Sequence, residues 1–266
     1  MKHKDFADRF GGKDSLRGRP IRCNKQTLQT KPKGYAEVIF FGDVHIGSPE
    51  CDLERAERML EYCLKNRIYV FLMGANRYSV GAGVYEQPIT PQKQFEVALE
   101  LLKPLADAGL VLGNIQGNHE FRLYKDCGVN ITKLLSGQLG IPYLGDACWN
   151  VFSVGGQKYR LYTLHGASGS RYVYTKLKSL VDISHNFSCD IMAMGHVHES
   201  ADTSILVQEI EPRTGKVIER KKFLIITGHY LRYDRSYAQT KGLPIGKMGS
   251  PKVKFFSDKK DIHISW

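Results

Sequence analysis

Several features that would assign a chain at sight are missing here. None of the six cysteines (Cys23, Cys51, Cys63, Cys127, Cys148, Cys189) falls in a Cys-x-x-Cys pair, so neither a zinc ribbon nor a thioredoxin-like redox motif is present. No apolar run approaches the ~18 residues needed to span a bilayer. The opening Met1-Lys2-His3-Lys4-Asp5 has no apolar stretch behind its charges, so no secretory signal is read there. The expectation is a cytoplasmic chain with no membrane contact, its cysteines reduced and mostly filling core. Internal repeats and low-complexity tracts are absent too, which excludes a solenoid. With 42% apolar and 24% charged residues in 266, wholesale disorder is excluded as well.

What is present is positive charge, unevenly placed. The net charge is +11; residues 1–33 carry +7 and residues 213–266 carry +9, leaving the stretch between them at −5. Basic ends fit a polyanionic partner such as DNA or RNA, or a merely solvated surface; charge alone does not separate the two. Residues 1–33 show no sustained period and read as a basic N-terminal arm, extended or poorly ordered, ahead of a single domain over 34–266. The arm holds Arg17-Gly18-Arg19-Pro20, similar to the core of an AT-hook but only four residues long.

Regular structure is expected from Glu37-Val38-Ile39-Phe40-Phe41, a buried-strand run ending at Gly42. Leu53, Ala56, Met59, Leu60, Cys63 and Leu64 define one helical face over 52–66, with Ser48-Pro49 as start chemistry. Strands are expected at 68–73 and 110–116, each ending at a glycine, with a helix from Pro91 to near Gly109 between them. Strand–helix–strand–helix–strand favours parallel pairing in an α/β sheet. After Pro142 come a hairpin about Gly155-Gly156, a helix near 172–186, a short strand at 191–194, and strands at 204–210 and 223–227.

Four strand ends deliver metal-type or acid–base side chains: Gly42-Asp43-Val44-His45, Gly117-Asn118-His119-Glu120, His165-Gly166 and Gly195-His196-Val197-His198. Ligands of open α/β sheets bind beyond such ends. Each block alone is weak, because Asp-x-His is commonly a turn and a single His-Gly means little. All four in this order resemble the calcineurin-like metallophosphoesterase family, over about residues 38–200. The resemblance implies an α/β fold, a four-layer α-β-β-α sandwich with two mixed sheets, and a dinuclear metal site at the strand ends. It implies Asp43, His45 and His198 on one metal, Asn118, His165 and His196 on the other, and His119 as the catalytic group over the scissile phosphate. Two divalent ions ~3.5–4 Å apart clamp and polarise a phosphoryl group. Carboxylate, amide and imidazole donors suit Mn²⁺ first, then Fe²⁺, Zn²⁺ or Ni²⁺, rather than Ca²⁺. Glu120 reads either as a group orienting a histidine or as a helix-start acid.

One block departs from the family pattern. Its second motif is a strand ending in Gly-Asp, whose carboxylate bridges both metals. Here Val70-Phe71-Leu72-Met73-Gly74 runs into Ala75-Asn76-Arg77-Tyr78. Natural loss, an engineered change or deletion of a short segment would each leave that result, and the abrupt entry into Asn76 favours the latter two. Near the other end, residues 228–237 interleave aromatics with arginines. This suggests Arg232, Tyr233 and Arg235 as substrate contacts, or a sheet-edge packing of tyrosines. The expected activity is a metal-dependent phosphohydrolase, a phosphodiesterase or nuclease impaired by Ala75. The alternatives are a phosphomonoesterase acting on small esters or phosphoproteins, and a binding module on the same fold.

Overall fold

The computed structural model describes residues 23–74, 76, 78, 85, 87–166, 170 and 172–266. In chain order the elements begin with β1 (Cys23–Leu28), β2 (Tyr35–Phe41), α1 (Leu53–Lys65), β3 (Tyr69–Leu72), α2 (Pro91–Asp107) and β4 (Val111–Asn114). Then follow α3 (Asn118–Cys127), α4 (Ile131–Leu139), β5 (Ala147–Val154), β6 (Gln157–Leu164), α5 (Val173–Ser184) and β7 (Ile191–Met194). The chain closes with β8 (Ser200–Ile210), β9 (Val217–Thr227), the short turn α6 (Tyr237–Thr240), β10 (Lys252–Phe256) and β11 (Ile262–Ser265). They form one five-stranded sheet, β11-β10-β2-β3-β4, and one six-stranded sheet, β1-β5-β6-β7-β9-β8, each mixing parallel and antiparallel pairs.

The layering follows from the period of the strands. Neighbouring strand residues face opposite sides, and on both sheets both sides are apolar. Val38 and Phe40 of β2 enter one buried cluster with Phe152, Leu161, Ile191 and Ile225 of the other sheet. Ile39 and Phe41 enter a second cluster with Ala56 and Leu60 of α1 and Ala98 and Leu102 of α2. In the six-stranded sheet Met192 and Met194 face Leu180 of α5, in a third cluster. Helix, sheet, sheet, helix is the four-layer α-β-β-α sandwich that the motifs implied.

The helices begin where cap chemistry permits. Thr90 accepts from the Lys93 N–H at 3.3 Å ahead of Pro91, the first residue of α2. Asp52, rather than Ser48, caps α1, accepting from Arg55 N–H at 3.3 Å. Helix α5 connects two parallel strands, β6 and β7, so it runs against them and starts at their carboxyl ends. At its far end Lys222 Nζ donates to the carbonyls of Ser184 and Phe187, both at 2.8 Å, closing a C-terminus that attracts positive charge.

Three expectations need correcting. Part of the stretch expected as an extended or poorly ordered arm is regular structure: Cys23–Leu28 is a strand paired in parallel with β5, and Lys31 pairs with buried Glu37. The Arg17–Pro20 tetrapeptide lies outside the described residues. The hairpin strands β8 and β9 each run 11 residues, longer than the apolar runs alone suggested. Of the six cysteines, all free, only Cys63, Cys148 and Cys189 are buried.

Glycine at 74 lets the ends of β3 and β4 close on each other. Its φ is +82°, and a Cβ there would lie 2.5 Å from the Gly117 nitrogen, a backbone atom that has no room to yield. Gly74→Ala is expected to lower stability by about 2 kcal/mol or more, seen as a lower urea midpoint at unchanged m-value. An unchanged midpoint would show that the two strand ends can part freely.

Candidate metal centre

The carboxyl ends of β2, β4, β6 and β7 lead into Asp43, Asn118, His165 and His196 respectively. β2, β3 and β4 are mutually parallel, as are β6 and β7, so topology gathers these residues at one end of each sheet. Past the strands the chain takes an uncommon path. Asp43, His45, His196 and His198 all have left-handed backbone, with φ of 50°, 56°, 69° and 49°. For a residue with a Cβ this costs about 1–2 kcal/mol and persists only where neighbours impose it.

At Asp43 the neighbours are visible. The residue is fully buried. Its N–H donates to Gly74 O at 2.9 Å and its carbonyl accepts from Tyr230 N–H at 3.0 Å. Its Oδ2 accepts from the His196 backbone N–H at 2.7 Å. Its Oδ1 makes no hydrogen bond; it lies 3.8 Å from His45 Nε2 and 3.7 Å from His198 Nε2. Those two nitrogens are themselves 2.8 Å apart. Burial pushes the Asp43 carboxyl above its usual range, against the pull of His165 and the His196 N–H. Burial, then His45 and its neighbours, hold His198 well below the usual imidazole range. Three donor atoms of the kinds that borderline divalent ions prefer thus converge within 4.8 Å of one another, one of them a buried orphan. The set fits a cation.

A second group adjoins it. His165 Nδ1 meets the Met73 carbonyl at 2.8 Å, which places its proton there and leaves Nε2 a lone pair. That lone pair faces Asn118 Oδ1 at 3.0 Å. With the amide in this orientation two acceptors are in contact, an arrangement that a shared cation satisfies. Burial also lowers the pKa of His165. The His196 ring stands edge-on to His165, with centroids 5.2 Å apart. Asp43, His45, Asn118, His165, His196 and His198 are therefore in one neighbourhood, spanning both sheets.

His119, in the first turn of α3, lies edge-on to His45 at 5.0 Å between centroids. Glu120 is buried in that same turn, and its Oε1 accepts from the Asn76 backbone N–H at 2.7 Å. Asn76 Oδ1 in turn accepts from Ile46 N–H at 3.3 Å. Glu120 is thus a helix-start acid that also ties the loop after β3 to the site. Ala75 lies outside the described residues, between Gly74 and Asn76, both of which touch this network.

The segment 228–237 is partly core. Tyr230 is fully buried against Phe41, and its hydroxyl meets Ser250 Oγ at 3.0 Å. Arg232 pairs with the capping Asp52 at 3.2 Å, Tyr233 is half-buried, and Arg235 is exposed. One residue of the segment, His229, reads from the sequence as structural because it lies outside the motifs, yet it packs against the candidate site. His229 stacks on His198, centroids 5.3 Å apart and planes 26° apart. Its Nδ1 accepts from Leu231 N–H at 3.2 Å. Gly246 packs over both residues: a Cβ there would lie 2.7 Å from His229 Nε2 and 2.4 Å from the His198 carbonyl oxygen. The available signal was Thr227-Gly228-His229, a strand end, a glycine and a histidine, as at the other blocks.

The chain matches no protein-family model and no curated protein sequence. Solved structures with a similar course include YfcE, a phosphoesterase from E. coli, at 17% identity and a TM-score of 0.40, covering 86% of this chain and 98% of that one. Vacuolar protein sorting 29 from Cryptosporidium parvum is 18% identical, with a TM-score of 0.41 and coverages of 87% and 97%. A metallophosphoesterase from Sphaerobacter thermophilus is 14% identical, with a TM-score of 0.39 and coverages of 86% and 87%. Among the described residues no helix is long and apolar enough to cross a membrane.

Two outcomes follow from these electrostatics. Asp43→Asn keeps an acceptor for the His196 N–H and removes an uncompensated buried charge. In EDTA the variant is expected to melt at or above the wild-type Tm, while the Tm rise of the wild type on adding Mn²⁺ disappears; a persisting rise would place the cation elsewhere. The second outcome concerns pH. His165, His198 and His229, the last pushed down to about 4 by burial and then by His45 and Lys176, bind fewer protons folded than unfolded. Their stabilising contribution is complete above the unfolded value of 6.5 and is lost as pH falls through it towards about 4. Asp43, shifted upward, acts in the opposite sense but as one group against three. The Tm of metal-free protein should fall from pH 7 to pH 4, and His229→Gln should flatten that slope.

Proposed function

We propose that this protein is a metal-dependent phosphodiesterase. The observation that carries the reading is the buried Asp43 Oδ1, without a hydrogen bond and facing the Nε2 atoms of His45 and His198. Asp43, His45 and His198 would hold one divalent ion, and Asn118, His165 and His196 a second, with Mn²⁺ as the expected occupant and Fe²⁺, Zn²⁺ or Ni²⁺ also suited to the donors. When bound, such ions supply Lewis-acid polarisation of a phosphoryl oxygen and lower the pKa of a coordinated water.

The chain's own groups do the rest. The Met73 carbonyl fixes the His165 tautomer so that Nε2 faces inward, and the His196 N–H holds the Asp43 carboxylate with Oδ1 inward. His119, half-buried beside His45, is assigned to neither ion in this arrangement and would give a proton to the leaving oxygen. The basic ends favour a nucleic-acid phosphodiester over a small monoester. Since β1 is part of the sheet, the removable part of the basic arm is residues 1–22, of net charge +4.

Hydrolysis of bis-p-nitrophenyl phosphate with Mn²⁺, beside p-nitrophenyl phosphate, tests the reaction class. Diester turnover that EDTA abolishes is expected; preference for the monoester would make the protein a phosphomonoesterase, and no turnover with no bound metal would make it a binding module. His119→Ala should lower turnover by roughly 10²–10⁴-fold while calorimetry shows Mn²⁺ binding retained. Ala75→Asp, which puts a carboxylate next to Gly74, should raise Mn²⁺ affinity and diester turnover together. Unaltered values would mean that another group already neutralises the ions. Deleting residues 1–22 should weaken single-stranded DNA binding and reduce the slope of log affinity against log salt by about 0.9 per lost phosphate contact. An unchanged slope would assign that charge to solvated surface.

A further inference from the structure

Aromatic side chains are ordinarily covered, and a ring left largely in water invites the question of what covers it. Tyr172 and Tyr174 are 60% and 70% exposed, yet their rings stack on each other, with centroids 5.5 Å apart and planes 20° apart. Residues two apart on a helix cannot face one another. The pair forms because Tyr172 is the cap of α5, with an extended backbone at φ −101° and ψ 134°, which swings its ring back over Tyr174. The result is a broad aromatic surface at the start of α5.

That start lies beside the metal centre. Helix α5 leaves from the carboxyl end of β6, its cap Tyr172 seven residues beyond His165. One turn further, Lys176 Nζ lies 3.8 Å from Glu199 Oε2, the residue directly after His198. The other helix that starts at the centre repeats the arrangement. In α3, which begins at Asn118, Phe121 and Tyr124 are 40% and 44% exposed. Their rings stack at 6.3 Å and 19°, with Lys125 Nζ 4.8 Å over Phe121. Each of the two helices issuing from the site thus shows solvent a parallel aromatic pair; in α3 a lysine lies over it, whereas Lys176 of α5 is buried against Glu199.

We propose that these two aromatic pairs, Tyr172–Tyr174 above all, are nucleobase-stacking platforms that hold a single-stranded nucleic acid across the metal centre. Rings in parallel offer a face to any base without reading its sequence, and stacking combined with a basic surface is how strands are held without base-specific hydrogen bonds. The platform helices lie in the stretch of net charge −5, but residues 213–266, of net charge +9, reach the centre where Gly246 packs over His198 and His229, and that charge complements a phosphate backbone. This inference deepens the phosphodiesterase reading by naming the substrate class, and it rests on that reading for the position of the scissile bond. The binding itself does not.

The experiment is therefore run in EDTA, where no turnover occurs. Fluorescence anisotropy measures the affinity of a ten-residue oligothymidylate, and of an abasic strand of equal length, for the wild type, Y172A/Y174A, Y172F/Y174F and F121A/Y124A. Y172A/Y174A is expected to bind oligothymidylate about tenfold or more weakly and the abasic strand as the wild type does, with Y172F/Y174F restoring affinity. F121A/Y124A is expected to show a loss of the same kind. A strand carrying 2-aminopurine should be quenched by the wild type and the phenylalanine variant, and not by Y172A/Y174A. Equal oligothymidylate affinity in all the variants, equal losses for the abasic strand, or no binding by the wild type would each overturn the platform. The phosphodiesterase assay decides the other reading separately: diester hydrolysis without base-dependent binding leaves that reading standing alone.

Discussion

The two sheets are joined at a buried carboxylate. Asp43 follows β2 of one sheet, and its N–H goes to Gly74 beyond β3 of that same sheet. Its Oδ2 is held by the His196 N–H beyond β7 of the other sheet, and its carbonyl by Tyr230, which follows β9. His165 crosses in the opposite direction, from β6 to the Met73 carbonyl. These contacts satisfy backbone groups that the strand ends would leave bare. They also leave Oδ1 with nothing to bond. Taking a carboxylate out of water without a partner for each oxygen costs several kcal/mol at least, and the fold places that cost where His45 and His198 add two further lone-pair donors. A polypeptide optimised only for stability would put an amide or an apolar residue there. The left-handed turns at Asp43, His45, His196 and His198 add strain at the same place. Strain and unmet polarity coincide at a site when binding, rather than folding, selects the residues.

Much of this was legible in the chain, for a physical reason. Gly42, Gly117 and Gly195 follow short apolar runs and precede polar residues, so the end of each strand and the start of its chemistry are written within a few positions. Alternation did the same for the layers, since Val38 to Phe41 are all apolar and so demand cover on both faces. Elements with mixed surfaces were harder. α3 (NHEFRLYKDC) buries only Glu120 and Leu123, too little for a periodic stripe. β1 (CNKQTL) has just Leu28 buried and is held by edge pairing to β5, a long-range partner that no local pattern announces. β10 does alternate, with Val253 and Phe255 inside and Lys252 and Lys254 half-buried, but its charge hides it among the basic residues of the last fifty.

The site divides in the same way. Residues delivered directly at strand ends were readable, because spacing along the chain becomes proximity once the strands are parallel. His229 reads as structural in the sequence, because what brings it to His198 is the pairing of β7 with β9 and not any spacing within a block. The 228–237 segment misled for a related reason. Alternating tyrosine and arginine specifies a two-faced strand-like piece but not which face meets core. In the fold Tyr230 packs against Phe41 and Arg232 pairs with Asp52, so part of a composition suited to nucleic acid is consumed internally. The aromatics left in water belong to helices that composition did not single out.

Position 75 shows how local such a site can be. The network through Asn76, Glu120 and Ile46 lies on one side of it, and the Asp43–Gly74 bond on the other. A carboxylate at 75 would bring negative charge to that neighbourhood. Two divalent ions repel each other, and a shared anion is the cheapest way to hold them ~3.5–4 Å apart. In the proposed centre, the ion on Asn118, His165 and His196 would have an amide and two imidazoles about it, with the carboxylate of Asp43 on the neighbouring ion. Burial, rather than a metal, holds His165 and His198 below the usual imidazole range, which leaves a lone pair on each for an ion. A carboxylate at 75 would give a second ion in that proposed centre an electrostatic reason to stay.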